Sequence, residues 1–293
     1  MAVVATAVVA WRVVGLARRT RAISALRPVA AEVPPDQEER RATLEIADRL
    51  LHDLPAAPEA LYARGRILLR HGYGDEAVAS LRAALAVEPE LAPAYELLGM
   101  EAMSRGDHAA AVPLLERAWR IDPESEAAGV MLGESLNNLG RLPEAVAVLE
   151  RVVAAHPAVT AAHVQLGQAW NSLREPARAK AAHLEALRLD PVSGPACFGA
   201  AQACERLGEH DLAEQYRRRH LEIVAEDRGI GQRRIREGLS AGEPAGALAA
   251  AADLAAKVYA ANGRMTEAAD FRARAAAAAA RAPQPGPAAG NRR

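Results

Sequence analysis

The chain has 293 residues, 51% hydrophobic, 25% charged and 3% aromatic, with a formal net charge of -1. That apolar content is ample for a buried core and the charge is ordinary for a folded domain, which excludes a disordered chain. The balance of signs leaves no field to draw in nucleic acid, and scarce aromatics with abundant alanine suit close-packed helices and argue against a β-sandwich.

Residues 1–35 open with AVVATAVVAWRVVGLA, Ala2 to Ala17, apolar except for Thr6 and Arg12 and followed by Arg18, Arg19 and Arg21. A spanning helix needs about 20 apolar residues and a central arginine costs ~2.5 kcal/mol or more, so residues 2–17 are a marginal candidate for a membrane anchor. A secretory leader would carry positive charge before its apolar run, and none stands there. If the segment spans, the arginines after it favour a cytoplasmic body, whereas a basic stretch further upstream would reverse the orientation. A chain anchored in a membrane through this segment and a cytoplasmic one are both open readings. Residues 36–57 contain DQEERRATLEIADRLLHDLP, where Leu44, Ala47, Leu50, Leu51 and Leu54 fall on one stripe and predict a lone capping helix.

From residue 58 onward the punctuation becomes periodic. Pro89, Pro123, Pro157 and Pro191 are each 34 residues apart. Gly65, Gly99, Gly133 and Gly167 stand 24 residues before them, and Ala77, Ala111, Ala145 and Ala179 stand 12 before. Eight before each proline come Leu81, Leu115, Leu149 and His183, and five before come Ala84, Ala118, Val152 and Ala186. Each unit reads as two helices. The break between them is Gly72, Gly106 or Gly140, with Arg174 in the fourth copy; the glycine supplies a left-handed turn, and the proline stops the second helix because it has no N–H to donate. Glycine in the first helix and alanine in the second let the two backbones approach closely, so that large residues interdigitate around them. Pro143 and Pro176 sit at second-helix starts, where proline is tolerated, whereas Pro113 lies further in and predicts a kink or a late start.

The pattern of leucine-glycine, alanine, large apolar residue, alanine and proline in LGMEAMSRGDHAAAVPLLERAWRIDP and its copies resembles the tetratricopeptide repeat family. The resemblance runs from Pro58 to Arg281 and implies an all-α fold, a right-handed α-solenoid of stacked antiparallel helix pairs, because no single hairpin buries both of its apolar faces. Residues 58–225 make five units, the fifth marked by Gly208, Ala213 and His220, with Ala201 and Ala225 replacing the glycine and the closing proline. Residues 226–248, with Gly229, Gly231, Arg233, Arg234 and Arg236, read as an inserted linker extending the preceding helix. Residues 249–281 form a degenerate sixth unit with Tyr259, Gly263, Ala268 and Ala275 in register, and residues 282–293 are a disordered tail rich in proline and glycine. Arginine replaces lysine almost everywhere, with Lys180 and Lys257 the exceptions, as a GC-rich bacterial genome would produce.

No pattern for a catalytic centre survives. Gly133-Glu134-Ser135 starts a nucleophile elbow but Asn137 takes the place of its last glycine, and GIGQRR at Gly229 lacks the third glycine of a dinucleotide loop. Cys197 and Cys204, seven apart on one helix, would have Cα atoms ~10 Å from each other, beyond disulfide reach, and lack zinc-site spacing. His163 and His183 occupy large apolar positions, and His108 and His210 an aromatic-type position, so packing is expected of them and no metal ligation. No cofactor is implied.

In the family resembled, the first helices line the concave face, with residues one, four and five after the signature glycine pointing into it. Here these include Met100, Met103 and Ser104; Glu134, Asn137 and Asn138; Gln168, Asn171 and Ser172; Gln202, Glu205 and Arg206. Spaced i, i+3 and i+4, each set shares a helix face. Amides offer both donor and acceptor to an extended peptide backbone, and methionines make an adaptable apolar end. The early first-helix positions hold Ala127, Val130 and Met131, or Ala161, Val164 and Gln165, which argues against a lysine and arginine clamp for chaperone tails. The resemblance therefore implies a non-enzymatic scaffold that binds a protein or peptide segment; the alternative is an accessory or assembly subunit of a membrane-associated complex whose catalytic chain is separate.

Overall fold

The computed structural model describes residues 37–236 and 244–281. The apolar run at residues 2–17 and the tail at 282–293 lie outside the described residues. Among the described residues every regular element is an α-helix, and no helix is long and apolar enough to cross a membrane. In chain order they are α1 (Gln37–Asp53), α2 (Pro58–Arg70), α3 (Gly74–Val87), α4 (Ala92–Ser104), α5 (His108–Ile121), α6 (Glu126–Asn138) and α7 (Leu142–Ala155). There follow α8 (Thr160–Ser172), α9 (Pro176–Leu189), α10 (Gly194–Arg206), α11 (His210–Arg236), α12 (Pro244–Ala261) and α13 (Met265–Arg281). This is an all-α solenoid architecture of antiparallel helix pairs.

The physical meaning of the 34-residue marks lies in one contact made four times. A Cβ added to Gly65 would fall 2.7 Å from Leu81, one on Gly99 2.6 Å from Leu115, one on Gly133 2.5 Å from Leu149 and one on Gly167 2.6 Å from His183. The residue eight before each proline is thus a knob seated against the bare backbone of the partner helix, and all four knobs are fully buried. Ala77, Ala111, Ala145 and Ala179 are buried too, so a larger side chain would force the helices apart. The knob and the glycine demand each other.

The turns repeat as closely. Gly72, Gly106, Gly140, Gly208 and Gly263 take φ of 79°, 75°, 71°, 77° and 77°, the left-handed region where a side chain is strained. Arg174 holds the same place with φ 61°. Each turn closes with the same backbone bond, such as Arg141 N–H to Leu136 O at 2.9 Å and Glu175 N–H to Trp170 O at 2.9 Å. At the other end, α3, α5, α7 and α9 stop two residues before Pro89, Pro123, Pro157 and Pro191, all four exposed. Pro113 delays nothing: α5 begins at His108, where the Asp107 side chain accepts the Ala110 N–H at 2.9 Å, and the proline ring stays exposed.

Two compact units result among the described residues, one from those up to Ala94 together with those from Pro244 on, the other from Tyr95 to Arg236. In the second, Leu115 of α5 seats on Gly99 of α4, each helix from α5 on packs on the next, and first helices also pack on one another, α6 on α8 and α8 on α10. Its core holds Leu115, Leu132, Leu136, Val146, Leu149 and Leu166. A cap strengthens the stacking: Ser125, before α6, donates to Glu96 Oε1 at 2.5 Å and accepts the Ala128 N–H at 3.2 Å.

In the first unit the expected lone capping helix is not alone. The C-terminal hairpin α12–α13 packs on α1, and α12 also on α2. Leu248 N–H donates to Glu39 Oε1 at 2.6 Å, and the Tyr259 hydroxyl donates to Asp53 Oδ2 at 2.7 Å. Tyr259 and Phe271 stack with ring centroids 5.3 Å apart, both fully buried, and the Arg49 guanidinium covers Phe271 at 5.2 Å. The apolar stripe of α1, with Ala47 and Leu50 buried, is thus partnered by residues two hundred positions away. The segment 226–248 is also largely helical, since α11 runs on to Arg236 and α12 starts at Pro244.

Candidate functional site

The first helices α4, α6, α8 and α10 carry the expected groove residues on one face of the second unit, and burial divides them by position. One residue after the signature position, Met100, Gln168 and Gln202 are exposed and Glu134 is half-buried. Five residues after it, Ser104, Asn138, Ser172 and Arg206 are all exposed. Asn138 Nδ2 donates to the Glu134 carbonyl of its own helix at 2.9 Å.

Four residues after it, Met103, Asn137 and Asn171 turn elsewhere, while Glu205 stays exposed. Met103 is half-buried and packs against the core beside Leu132 and Leu136. Asn137 Nδ2 donates to the Gln165 carbonyl at 2.9 Å and reaches Gln165 Oε1 at 3.2 Å. Asn171, only 5% exposed, makes the same bond one unit later, Nδ2 to the Gly199 carbonyl at 3.0 Å. Asn137 and Asn171 are therefore not free groove amides: each ties its first helix to the next one. Removing their donors would loosen the stack, because each would take away a hydrogen bond between adjacent first helices. The register explains the split. Residues one and five after the mark flank the outward direction of a 3.6-residue helix, and residue four leans toward the following hairpin.

His183 occupies the knob position of the fourth hairpin. It is fully buried, wedged between the backbones of Gly167 and Gly199, where a Cβ would come 2.6 Å and 2.2 Å from the ring. Asn171 Nδ2 lies 3.3 Å from His183 Nε2, which makes Nε2 an acceptor and leaves the ring proton on Nδ1. Burial pushes its pKa down to about 4, against a smaller opposing pull from the Gly167 backbone. His163 is also buried, with Nε2 3.0 Å from the Pro157 carbonyl. His210 is not packed as expected: its side chain is 71% exposed and its Nδ1 lies 3.1 Å from Glu205 Oε1. Cys197 and Cys204 are buried free thiols on α10, and burial raises the pKa of both. Among the described residues no group of three or more His, Cys, Asp or Glu is placed to hold a metal ion.

A feature not anticipated lies at the end of this face, where α10 meets α11. Phe198 is 50% exposed and Leu221 65% exposed beside a cleft of about 470 Å³. Both are single large side chains outside the repeat's marked positions, so periodicity carried no signal for them.

Tetratricopeptide repeat models match residues 62–126, 102–170 and 196–230. No curated protein matches the chain. Among solved structures, one of MamA is 23% identical, covering 56% of this chain and 96% of that one with a TM-score of 0.52. A form of MamA from Desulfovibrio magneticus RS-1 is 24% identical over 58% of this chain and 96% of that one, with a TM-score of 0.53. YrrB, described as a TPR protein with an unusual peptide-binding site, is 19% identical over 60% of this chain and 91% of its own, with a TM-score of 0.53. At these identities the likeness is one of fold. With the glycine-and-knob contact recurring in the same 34-residue register that the matched segments share, the chain belongs to the tetratricopeptide repeat family.

Proposed function

We propose that the chain is a non-enzymatic scaffold that holds an extended peptide segment along the first-helix face of residues 95–236. The coarse part of that statement follows from the fold, since tetratricopeptide solenoids are protein–protein interaction scaffolds. The observation that carries the finer part is the exposure of Met100, Asn138, Gln168, Ser172, Gln202 and Arg206 at equivalent positions of consecutive first helices, above a layer where Asn137 and Asn171 fix the spacing between helices. A strip of donors and acceptors held at a constant interval suits the regular polar groups of an extended backbone, and its rigidity lowers the ordering cost of binding. The neighbour YrrB supports the reading by its described peptide-binding site, carried on the same fold.

The test uses the exposed amides, not the structural ones. The partner recovered with the full chain from its native cell should bind the triple variant Q168A/S172A/Q202A several-fold more weakly, with the melting temperature unchanged, because these side chains are exposed. Equal capture by the triple variant and the parent chain refutes the reading.

A further inference from the structure

We infer that the α10–α11 end of this face selects an acidic–apolar segment, meaning a large apolar side chain next to a carboxylate, as the part of the bound peptide that docks there. The inference rests on the peptide-binding reading above and names the chemistry of its occupant. The cleft of about 470 Å³ is lined by the apolar Phe198 and Leu221, by His220, and by the charged Glu205, Arg206 and Arg217. Its apolar wall is held in place before anything binds. The Phe198 ring lies 5.5 Å from the His220 ring, and His220 Nδ1 is anchored 3.0 Å from the Gly194 carbonyl.

The charges are unequal in a way that decides the ligand. Glu205 is already engaged, with Arg217 at 2.6 Å and His210 at 3.1 Å, and these bonds keep its carboxyl below the usual carboxylate range, Arg217 contributing most. Arg217 also approaches Glu214 at 3.5 Å. Arg206 differs: its guanidinium donates to the Asn171 backbone carbonyl, at the end of α8, and no carboxylate pairs with it among the described residues. A neutral carbonyl fixes the fork without cancelling its charge, so the cleft presents an oriented cation beside two exposed apolar side chains. A carboxylate is the group a guanidinium fork reads best, while a basic segment would meet Arg206 and Arg217 as like charges. Neither contact suffices alone, because an exposed ion pair is worth little and a single apolar contact is unselective. Together they specify an apolar residue with an acidic neighbour.

The probes are short fluorescent glycine–serine peptides with a central Leu–Glu, Leu–Gln, Leu–Lys or Ala–Glu pair, titrated against the full chain and read by anisotropy. Leu–Glu should bind a few-fold more tightly than Leu–Gln or Leu–Lys, an advantage that shrinks as salt is raised. R206Q should bring Leu–Glu down to the level of Leu–Gln, whereas F198A should weaken both leucine peptides alike. Should R206Q lose folded structure through its bond to Asn171, the comparison of Leu–Glu with Leu–Gln on the parent chain still tests the cation, and L221A, at a side chain 65% exposed, tests the apolar wall. Equal binding of Leu–Glu and Leu–Gln, or discrimination that persists in R206Q, overturns the inference, as does self-association of the chain that F198A abolishes. If no peptide binds although Q168A/S172A/Q202A weakens capture of the native partner, this assignment falls and the strip stands. If the triple variant captures normally while Leu–Glu still depends on Arg206, the terminal cleft alone is the site and the extended strip is the part that fails.

Discussion

His183 stands where three preceding hairpins carry Leu81, Leu115 and Leu149, and replacing it by leucine tests what a buried imidazole does to this fold. Its pKa in the folded chain is about 4, against an ordinary 6.5, because the ring has no access to water between Gly167 and Gly199. The folded value lies below the unfolded one. Above pH 6.5 both states are neutral and the group is indifferent to pH; below it the unfolded chain takes a proton that the folded chain refuses, and stability falls until the folded ring protonates near pH 4. Over the whole window the loss is roughly 3 kcal/mol, of which about 2 kcal/mol falls between pH 7 and pH 5. Urea unfolding followed by circular dichroism at the two pH values, for the parent chain and H183L, measures it. The stability of H183L relative to the parent should rise by about 2 kcal/mol on going from pH 7 to pH 5. His71 is held down to about 4 by burial, then by Arg40 and Arg70, but it titrates in both proteins and cancels in the difference. An identical pH dependence in the two chains would refute the burial argument.

Two further outcomes follow from the geometry. R174G should stabilise the chain by ~0.5–1 kcal/mol, because a left-handed φ of 61° strains arginine by more than glycine loses in unfolded-state freedom; a lower urea midpoint would contradict this. Y259F should cost the first unit ~1–2 kcal/mol by removing the donor to Asp53, whose carboxyl is held low by His52 first and by Tyr259 next. The measurement is thermal unfolding with hydrogen exchange across α1, which should lose protection; unchanged exchange there would show that the hairpin does not depend on this bond.

The repeat was legible because each of its marks answers a local steric demand. Gly133 must be bare where Leu149 presses on it, Gly140 must reverse the chain with φ positive, and Pro157 must follow a helix that has ended, so each demand selects one residue type. What stayed hidden depends on partners far along the chain. Nothing local to α1 says that a hairpin two hundred residues later packs on it, since an apolar stripe only asks for a cover and does not name it. Arg174 departs from the glycine pattern of the turns, and that the backbone holds it left-handed anyway is settled by the stacking of α8 and α9 around it. For Pro113, of the kink and the late start that its missing N–H allows, the late start does not occur: the Asp107 cap and the buried face of Ala111, Val112 and Leu115 hold the first turn in place.

The asparagines carry the more general argument. Asn137 and Asn138 are chemically identical neighbours, and residue type alone assigns them one role. The stack separates them: the direction of Asn137 leads to the Gln165 carbonyl of the next first helix, and that of Asn138 leads to solvent. A helix residue differs from the next by about 100° of azimuth, so the offset between hairpins determines which of two adjacent side chains builds the wall and which remains free to be read. Asn171 repeats the structural role and Ser172 the exposed one in the following unit. Substituting Asn137 and Asn171 would therefore confound partner capture with loosening of the stack, and the residues that isolate recognition are their exposed neighbours. In a repeat fold the binding strip is the set of positions that the stacking contacts leave over.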